Sequence, residues 1–227
     1  MFCIQNTVKT ALQGIDLAPD LTEQVYERLL AAICSGALSP GARLTQEELA
    51  ASLNVSRQPV LQALRLLKRE GVVVDAGRRG LAVAPVDPVL IANIYEVRSA
   101  LEALAARLAA KARAKIDPAI IARGRAAPDL AAMIEADMTF HHLVYAASGN
   151  PLIAGSADRH WHHVQRAMGA SLQMREVREH VWDEHQAILE AINAGDASRA
   201  ERLARQHCEA AGRALSAALA DRLAAAS

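Results

Sequence analysis

The chain has 227 residues, 52% apolar and 3% aromatic, with 25 Lys/Arg against 25 Asp/Glu. That length suggests one large or two modest domains with ample core, and zero formal net charge excludes a global field that would advertise a nucleic-acid or membrane partner. Cys3, Cys34 and Cys208 are too few and too scattered for a disulfide framework or a cysteine zinc site, and an odd count fits a reducing cytosol. The N-terminus has no long apolar stretch and no run approaches ~20 apolar residues, so neither a signal peptide nor a membrane span is expected, and the chain reads as cytoplasmic. Abundant Ala and Leu favour helix over sheet.

Charge is uneven along the chain. Residues 21–84 hold eight Lys/Arg against six Asp/Glu, and six of those cations fall between Arg57 and Arg79. All eight histidines lie at or after His141. The two halves are therefore chemically different.

Residues 1–20 read as a loose arm. LTEQVYERLLAAICSG then places Leu21, Val25, Leu29 and Ile33 at helical spacing, with Gly36 as the stop. LSPGARL is a turn. In LTQEELAASLNVSRQPVLQALRLLKREG, Thr45 and Glu48 form a capping box, and Asn54 sits where the chain must turn sharply. Ser56 can cap the next helix, and Pro59 is tolerated in its first turn. Val60, Ala63, Leu64 and Leu67 share one face of that helix; Arg57, Gln58, Leu61, Gln62, Arg65, Lys68 and Arg69 occupy the opposite arc. This is a helix-turn-helix whose second helix is basic outward. VVVDAGRRGLAVAPV follows as a two-stranded hairpin with Arg78 and Arg79 near its tip, a wing. Short amphipathic helices alone occur in many all-α proteins; the attached wing and its arginines point to double-stranded DNA.

From about Pro88 the pattern is almost wholly helical, broken at KIDP, RAAPD, SGNP and NAGD. The expected fold is mostly α: an N-terminal winged helix-turn-helix followed by an all-helical antiparallel bundle. The divisions are an arm at 1–20, a DNA-binding domain at 21–86 and a helical domain at 87–227. The Ala-rich last segment stays periodic, as a docked helix would.

The whole resembles the GntR family of bacterial transcription regulators, in the branch with a FadR-type, all-helical FCD ligand domain. LTEQVYERLLAAICSGALSPGARLTQEELAASLNVSRQPV and RRGLAVAPV carry the resemblance in the first half. YEVRSALEALAARLAA, DMTFHHLVYAASGNP and DEHQAILEAINAGDASRAERLARQH carry it in the second. The resemblance implies a dimer on operator DNA and a bundle that binds a small carboxylic acid, often beside a metal. It assigns DNA contact to Arg43, Thr45, Ser56, Arg57, Gln58, Leu61, Gln62, Arg65, Arg79 and Gly80. Relatives commonly carry Arg-Glu where this chain has Leu61-Gln62. Leu61 could meet a thymine methyl and Gln62 an adenine, or Leu61 could merely pack at the edge of the core.

A metal site follows from helical geometry in the second half. His185 lies ten residues before Gly195 and His207 eleven after Asp196, so both stand roughly 15–16 Å from that turn and level with each other. His185 shares a stripe with Ile188, Leu189 and Ile192; His207 shares one with Ala200, Leu203 and Ala204. Asp137 and His141 share theirs with Met133, Ile134 and Val144. One histidine on an apolar face is usually a satisfied core residue, but four converging ligands suit a divalent ion, zinc foremost, with nickel or manganese as alternatives. The four positions also resemble the family's metal site. His142, rotated by about 100°, should point away.

Arg98 lies on the apolar stripe of its helix and needs a partner. Its fork could clamp a ligand carboxylate, as the resemblance supports, or pair with Glu102 four residues on. Asn150 could reach the pocket or, the preferred role, cap the next helix. His160, His162 and His163 around Trp161 fit the surface or the pocket wall.

The leading function is a ligand-responsive regulator, by default a repressor released by its acid. A metalloenzyme using the Asp/His3 set is the rival, although Glu184 beside His185 should not face the metal. A regulator with a purely structural metal is the third.

Overall fold

The computed structural model describes the backbone of residues 21–77, 80–171 and 175–225. The expected arm at 1–20 and the wing-tip Arg78 and Arg79 lie outside the described residues.

The first half assembles around α1 (Leu21–Cys34), α2 (Gln46–Leu53) and α3 (Arg57–Arg69). Val25, Leu29 and Ile33 of α1 are buried against Val60, Leu64 and Leu67 of α3, as the apolar spacing requires. Thr45 caps α2: its hydroxyl accepts the Glu48 amide at 3.3 Å and donates to the Glu48 carboxylate at 2.6 Å. The chain leaves α2 through Asn54 at φ 53°, the left-handed conformation that asparagine tolerates. Ser56 occupies the N-cap of α3, but its side chain makes no capping hydrogen bond, contrary to the expected cap.

The wing is larger by one strand than the hairpin read from the sequence. β2 (Val73–Asp75) and β3 (Leu81–Val83) pair antiparallel, and β1 (Arg43–Leu44) joins the other side of β3. The strand order is β1-β3-β2. Two residues are too few to show a period of two, so β1 left no signature in the pattern.

The second half is helical among the described residues: α4 (Pro88–Lys111), α5 (Ala119–Arg125), α6 (Leu130–Ala147), α7 (Pro151–Ser171), α8 (Arg175–Ala194) and α9 (Ala197–Ala225). Asp87 caps α4 and Asp129 caps α6, each accepting a first-turn amide at 2.8 Å. α9 lies along α4, and small residues let the two helices approach. A Cβ added to Gly212 would meet Tyr95 Cβ at 2.5 Å. α8 and α9 form the expected tight hairpin: Gly195 takes φ +77°, and Asp196 accepts the Arg199 amide at 3.0 Å. Trp182 seats its indole on Gly124 of α5, where an added Cβ would fall 2.0 Å from the ring. Among the described residues no helix is long and apolar enough to cross a membrane.

Candidate functional site

In the first half, the described members of the expected DNA-facing set are all at least partly exposed. Arg43, Ser56, Arg57, Gln58 and Arg65 are exposed, while Thr45, Leu61, Gln62 and Gly80 are half-buried. Thr45, Arg57 and Gly80 line one concavity with Glu47, Asp75 and Gly77, between the starts of α2 and α3 and the wing. Arg57 donates to Glu47, which holds the starts of the two helices together. Lys68 bonds both oxygens of Asp75 at 2.7 and 2.8 Å, tying α3 to β2. Leu61 is not part of the apolar cluster that Val60, Leu64 and Leu67 build.

Inside the bundle, α6, α8 and α9 bring His141, His185 and His207 together, all buried. One nitrogen from each lies within 4.8 Å of the others. His185 Nε2 and His207 Nε2 face each other at 3.1 Å, close to the ~3.3 Å separating two nitrogens around one tetrahedral zinc. Asp137 borders this trio: its oxygens stand 3.6 Å from His185 Nε2 and 3.8 Å from His141 Nε2.

Two carboxylates whose place beside the site the sequence did not reveal lie against these rings. Glu184 accepts from His207 Nδ1 at 2.7 Å, and Glu102 Oε1 lies 2.8 Å from His141 Nδ1. His207, whose Nδ1 proton goes to Glu184, presents its Nε2 lone pair inward, the tautomer a metal requires, whereas the close His141–Glu102 contact is not aligned as a hydrogen bond. The hydrogen bond from His207 holds the Glu184 carboxyl below its ordinary value. Burial, reinforced by the neighbouring His207, His141 and Arg98, drives His185 far below the usual histidine range, so it stays neutral. His185 Nδ1 has no hydrogen-bond partner. Three ring nitrogens gathered in a buried site suit a divalent cation, and the residues present fit one.

Arg98 is 3% exposed and borders the same cavity, of about 370 Å³, that Asp137, His141, Glu184 and His207 line. Its terminal nitrogen lies 3.2 Å from Glu102, so the intrahelical pair considered from the sequence is present. Its Nε, however, has no hydrogen-bond partner. Tyr145 donates to the same Glu102 oxygen. Burial pushes the Glu102 carboxyl up, but His141, Arg98 and Tyr145 outweigh it and hold the group at about 2. Met133, Met168, Trp182 and Leu215 supply apolar wall to the cavity.

Asn150 is not among the residues lining this cavity. Its oxygen accepts the Leu152 amide at 3.1 Å at the start of α7, so the structure gives it the capping role. His142 turns away as expected, with Nδ1 donating to Met138 O at 2.8 Å and Nε2 lying 2.7 Å from Asp158. His162 and His163 are neither surface nor pocket wall. They are buried against the DNA-binding half, where His163 Nε2 donates to the Glu70 carbonyl at 2.9 Å; His160 is exposed.

Comparison with known proteins places both halves. Residues 93–210 match the FCD domain, and residues 21–83 match the bacterial regulatory proteins of the gntR family. An HTH-type transcriptional regulator in an unstable DNA locus of Streptomyces ambofaciens is 30% identical, over 82% of this chain and 81% of its own. The HTH-type transcriptional repressor NanR of Klebsiella aerogenes is 28% identical, over 89% of this chain and 88% of its own. The solved structure of McbR/YncC from E. coli shares the fold with a TM-score of 0.68 at 24% identity, covering 84% of this chain and 94% of that one. The chain therefore belongs to the GntR family in its FadR-type, FCD-bearing branch, and is a DNA-binding transcription regulator rather than an enzyme.

Proposed function

We propose that this regulator responds to a small carboxylic acid, which its helical half binds at Arg98 beside a divalent metal held by His141, His185 and His207, with Asp137 alongside. The carrying observation is that a buried guanidinium with an unpaired Nε borders the same cavity as His141 and His207, two of the three converged histidines. A bound divalent ion would supply positive charge and a coordination position for a carboxylate oxygen. Arg98 would orient the acid through its fork, exchanging Glu102 for the ligand. Glu184 holds the His207 tautomer, Glu102 lies beside His141, and the apolar walls restrict water.

In this reading residues 21–86 form the DNA-binding domain and residues 87–227 the sensing domain. The protein works as a cytoplasmic homodimer that sets two α3 helices in successive major grooves of an operator. Arg57 and Arg65 contact phosphate or guanine; Gln58, Leu61 and Gln62 face base edges; Arg43, Thr45, Ser56, Arg79 and Gly80 meet the backbone. Acid binding shifts the population away from the DNA-competent arrangement, so the protein acts as a repressor. A second reading, a purely structural metal, is favoured by the existing Arg98–Glu102 pair.

The test is fluorescence anisotropy on DNA from upstream of its own coding region, with zinc present and citrate, lactate or malonate added. The acid reading expects at least one of them to release the DNA in the wild type and not in Arg98→Met. DNA binding indifferent to all carboxylic acids, together with a metal-free protein that loses only thermal stability, would establish the structural metal instead.

A further inference from the structure

Helix α7 meets both functional ends of the molecule between Trp161 and Arg166. Trp161 packs against two residues that line the sensing cavity: the Arg98 guanidinium carbon lies 4.4 Å from its ring, and the His141 ring centroid lies 5.9 Å away. On the other side, His163 Nε2 donates to the Glu70 carbonyl at 2.9 Å, at the residue that closes α3. Arg166 donates to the Ala84 carbonyl, one residue past the wing strand β3. Cys34, the last residue of α1, directs its thiol to the His162 carbonyl at 3.8 Å. One helix therefore holds the ends of α1, α3 and β3.

These contacts are suited to transmit a small displacement. On the DNA-binding side, His163 and Arg166 grip main-chain carbonyls, so the strength of the hold depends on side chains of α7. The Glu70 carbonyl lies at the negative end of the α3 dipole, where a donor is favoured. Arg166 is 5% exposed and pairs with no carboxylate among the described residues; burial lowers its pKa. A buried cation satisfied by carbonyl oxygen alone is costly, and a displaced one more so. At the other end, Arg98 lies between the Tyr95 and Trp161 rings, with Glu102 on its fork. A group that takes the fork from Glu102 must also change how the guanidinium meets Trp161.

We infer that α7 is the lever between sensing cavity and DNA-reading head: movement of Arg98 against Trp161 shifts α7, and His163 and Arg166 carry the shift to α3 and the wing. This rests on the reading that the cavity takes a carboxylate at Arg98. It adds which element conveys the signal and which contacts it works through.

The test is a double-mutant cycle on the full chain, reading affinity for its own upstream DNA in wild type, Arg98→Met, Arg166→Met and the double variant. Arg98 and Arg166 share no hydrogen bond, ion pair or ring contact, so an indirect route is needed for them to couple. A lever predicts departure from additivity on the order of fivefold or more in Kd; effects that multiply to within about twofold would overturn it. If a methionine variant does not fold, Arg98→Lys is followed by hydrogen exchange at the Gly71 and Val72 amides, which bond back to Lys68 and Leu67 at the end of α3. Faster exchange there supports the lever, and unchanged exchange overturns it. No acid enters either measurement, so their failure is distinct from a failure of citrate to shift the thermal transition, which bears on the carboxylate reading alone.

Discussion

His185 Nε2 and His207 Nε2 stand 3.1 Å apart, buried, at equal height across the α8–α9 hairpin. Glu184 fixes the His207 proton on the opposite side of its ring. On the proposed reading, a cation between the rings stabilises the fold. Zinc at a hundredfold excess over its Kd should add about 2.7 kcal/mol to unfolding free energy. The check is a thermal scan of chelator-treated protein with and without zinc. His207→Ala should abolish the difference; an equal rise in wild type and variant would exclude the site.

Glu102 is the hinge of the polar interior, since Arg98, His141 and Tyr145 all converge on its Oε1. Glu102→Ala leaves a buried guanidinium without its carboxylate, an effect of about 3–5 kcal/mol. Glu102→Gln keeps the volume and one acceptor and should lose less. Urea unfolding of the three proteins measures both. Loss of zinc stabilisation in Glu102→Gln at near-normal stability would show that the carboxylate orients His141 beyond its structural role.

Much of this site was legible because helices are periodic. The equal distances of His185 and His207 from Gly195-Asp196 place them opposite each other before any coordinates, and the Asp137–His141 spacing places both on one face. Glu184 was not legible by the same logic. Backbone direction sets it about 100° from His185, but a carboxylate on two methylenes can reach the far side of a neighbouring helix's ring. Glu102 was visible as a partner for Arg98 and not as one for His141, which lies 39 positions away by sequence number. The contact of His163 with Glu70 joins elements 93 positions apart, and no local pattern encodes it. Likewise, β1 was missed because pairing with β3, not its own two residues, defines it.

Gly124 and Gly212 are constrained by neighbours and not by backbone angles. Alanine at 124 would place its methyl inside the Trp182 ring, and alanine at 212 would meet Tyr95 Cβ. Trp182 is rigid and 2% exposed, so it has little freedom to yield. Both substitutions should destabilise by about 1–3 kcal/mol, with Gly124→Ala the larger. Chemical denaturation checks the order. A stability gain from Gly212→Ala, as helix propensity alone would give, would mean that α4 and α9 can separate without cost.

Arg57 and Leu61 sit on one face of α3 but should fail differently on DNA. Arg57→Ala removes a charge proposed to meet DNA phosphate, so affinity should fall on every sequence and the salt slope should shrink by about 1. Leu61→Ala carries no charge, so its loss should depend on the base pair faced and leave the salt slope unchanged. Binding titrations at several salt concentrations, on operator and scrambled DNA, separate the two. Leu61→Ala that lowers stability and leaves both affinities intact would place Leu61 at the edge of the core.

The contact between α7 and the DNA-binding half should weaken in acid. Burial, aided by the neighbouring His163, Arg166 and His160, pushes His162 down to about 4. Between pH 4 and the ordinary histidine value of about 6.5, the unfolded chain binds a proton that folded His162 refuses. More protons on the unfolded side means that stability rises with pH through this window and falls as pH drops toward 4. His163 and His185 are lowered too and act in the same direction. Glu102, held at about 2, adds a further loss only below its unfolded value near 4.5. Urea midpoints at pH 7 and pH 5 should therefore differ in wild type, with the lower midpoint at pH 5. The gap should narrow in His162→Gln, which has no ring to protonate. A wild type equally stable at both values would show that His162 takes up its proton in the folded protein, and that the α7 contact admits solvent.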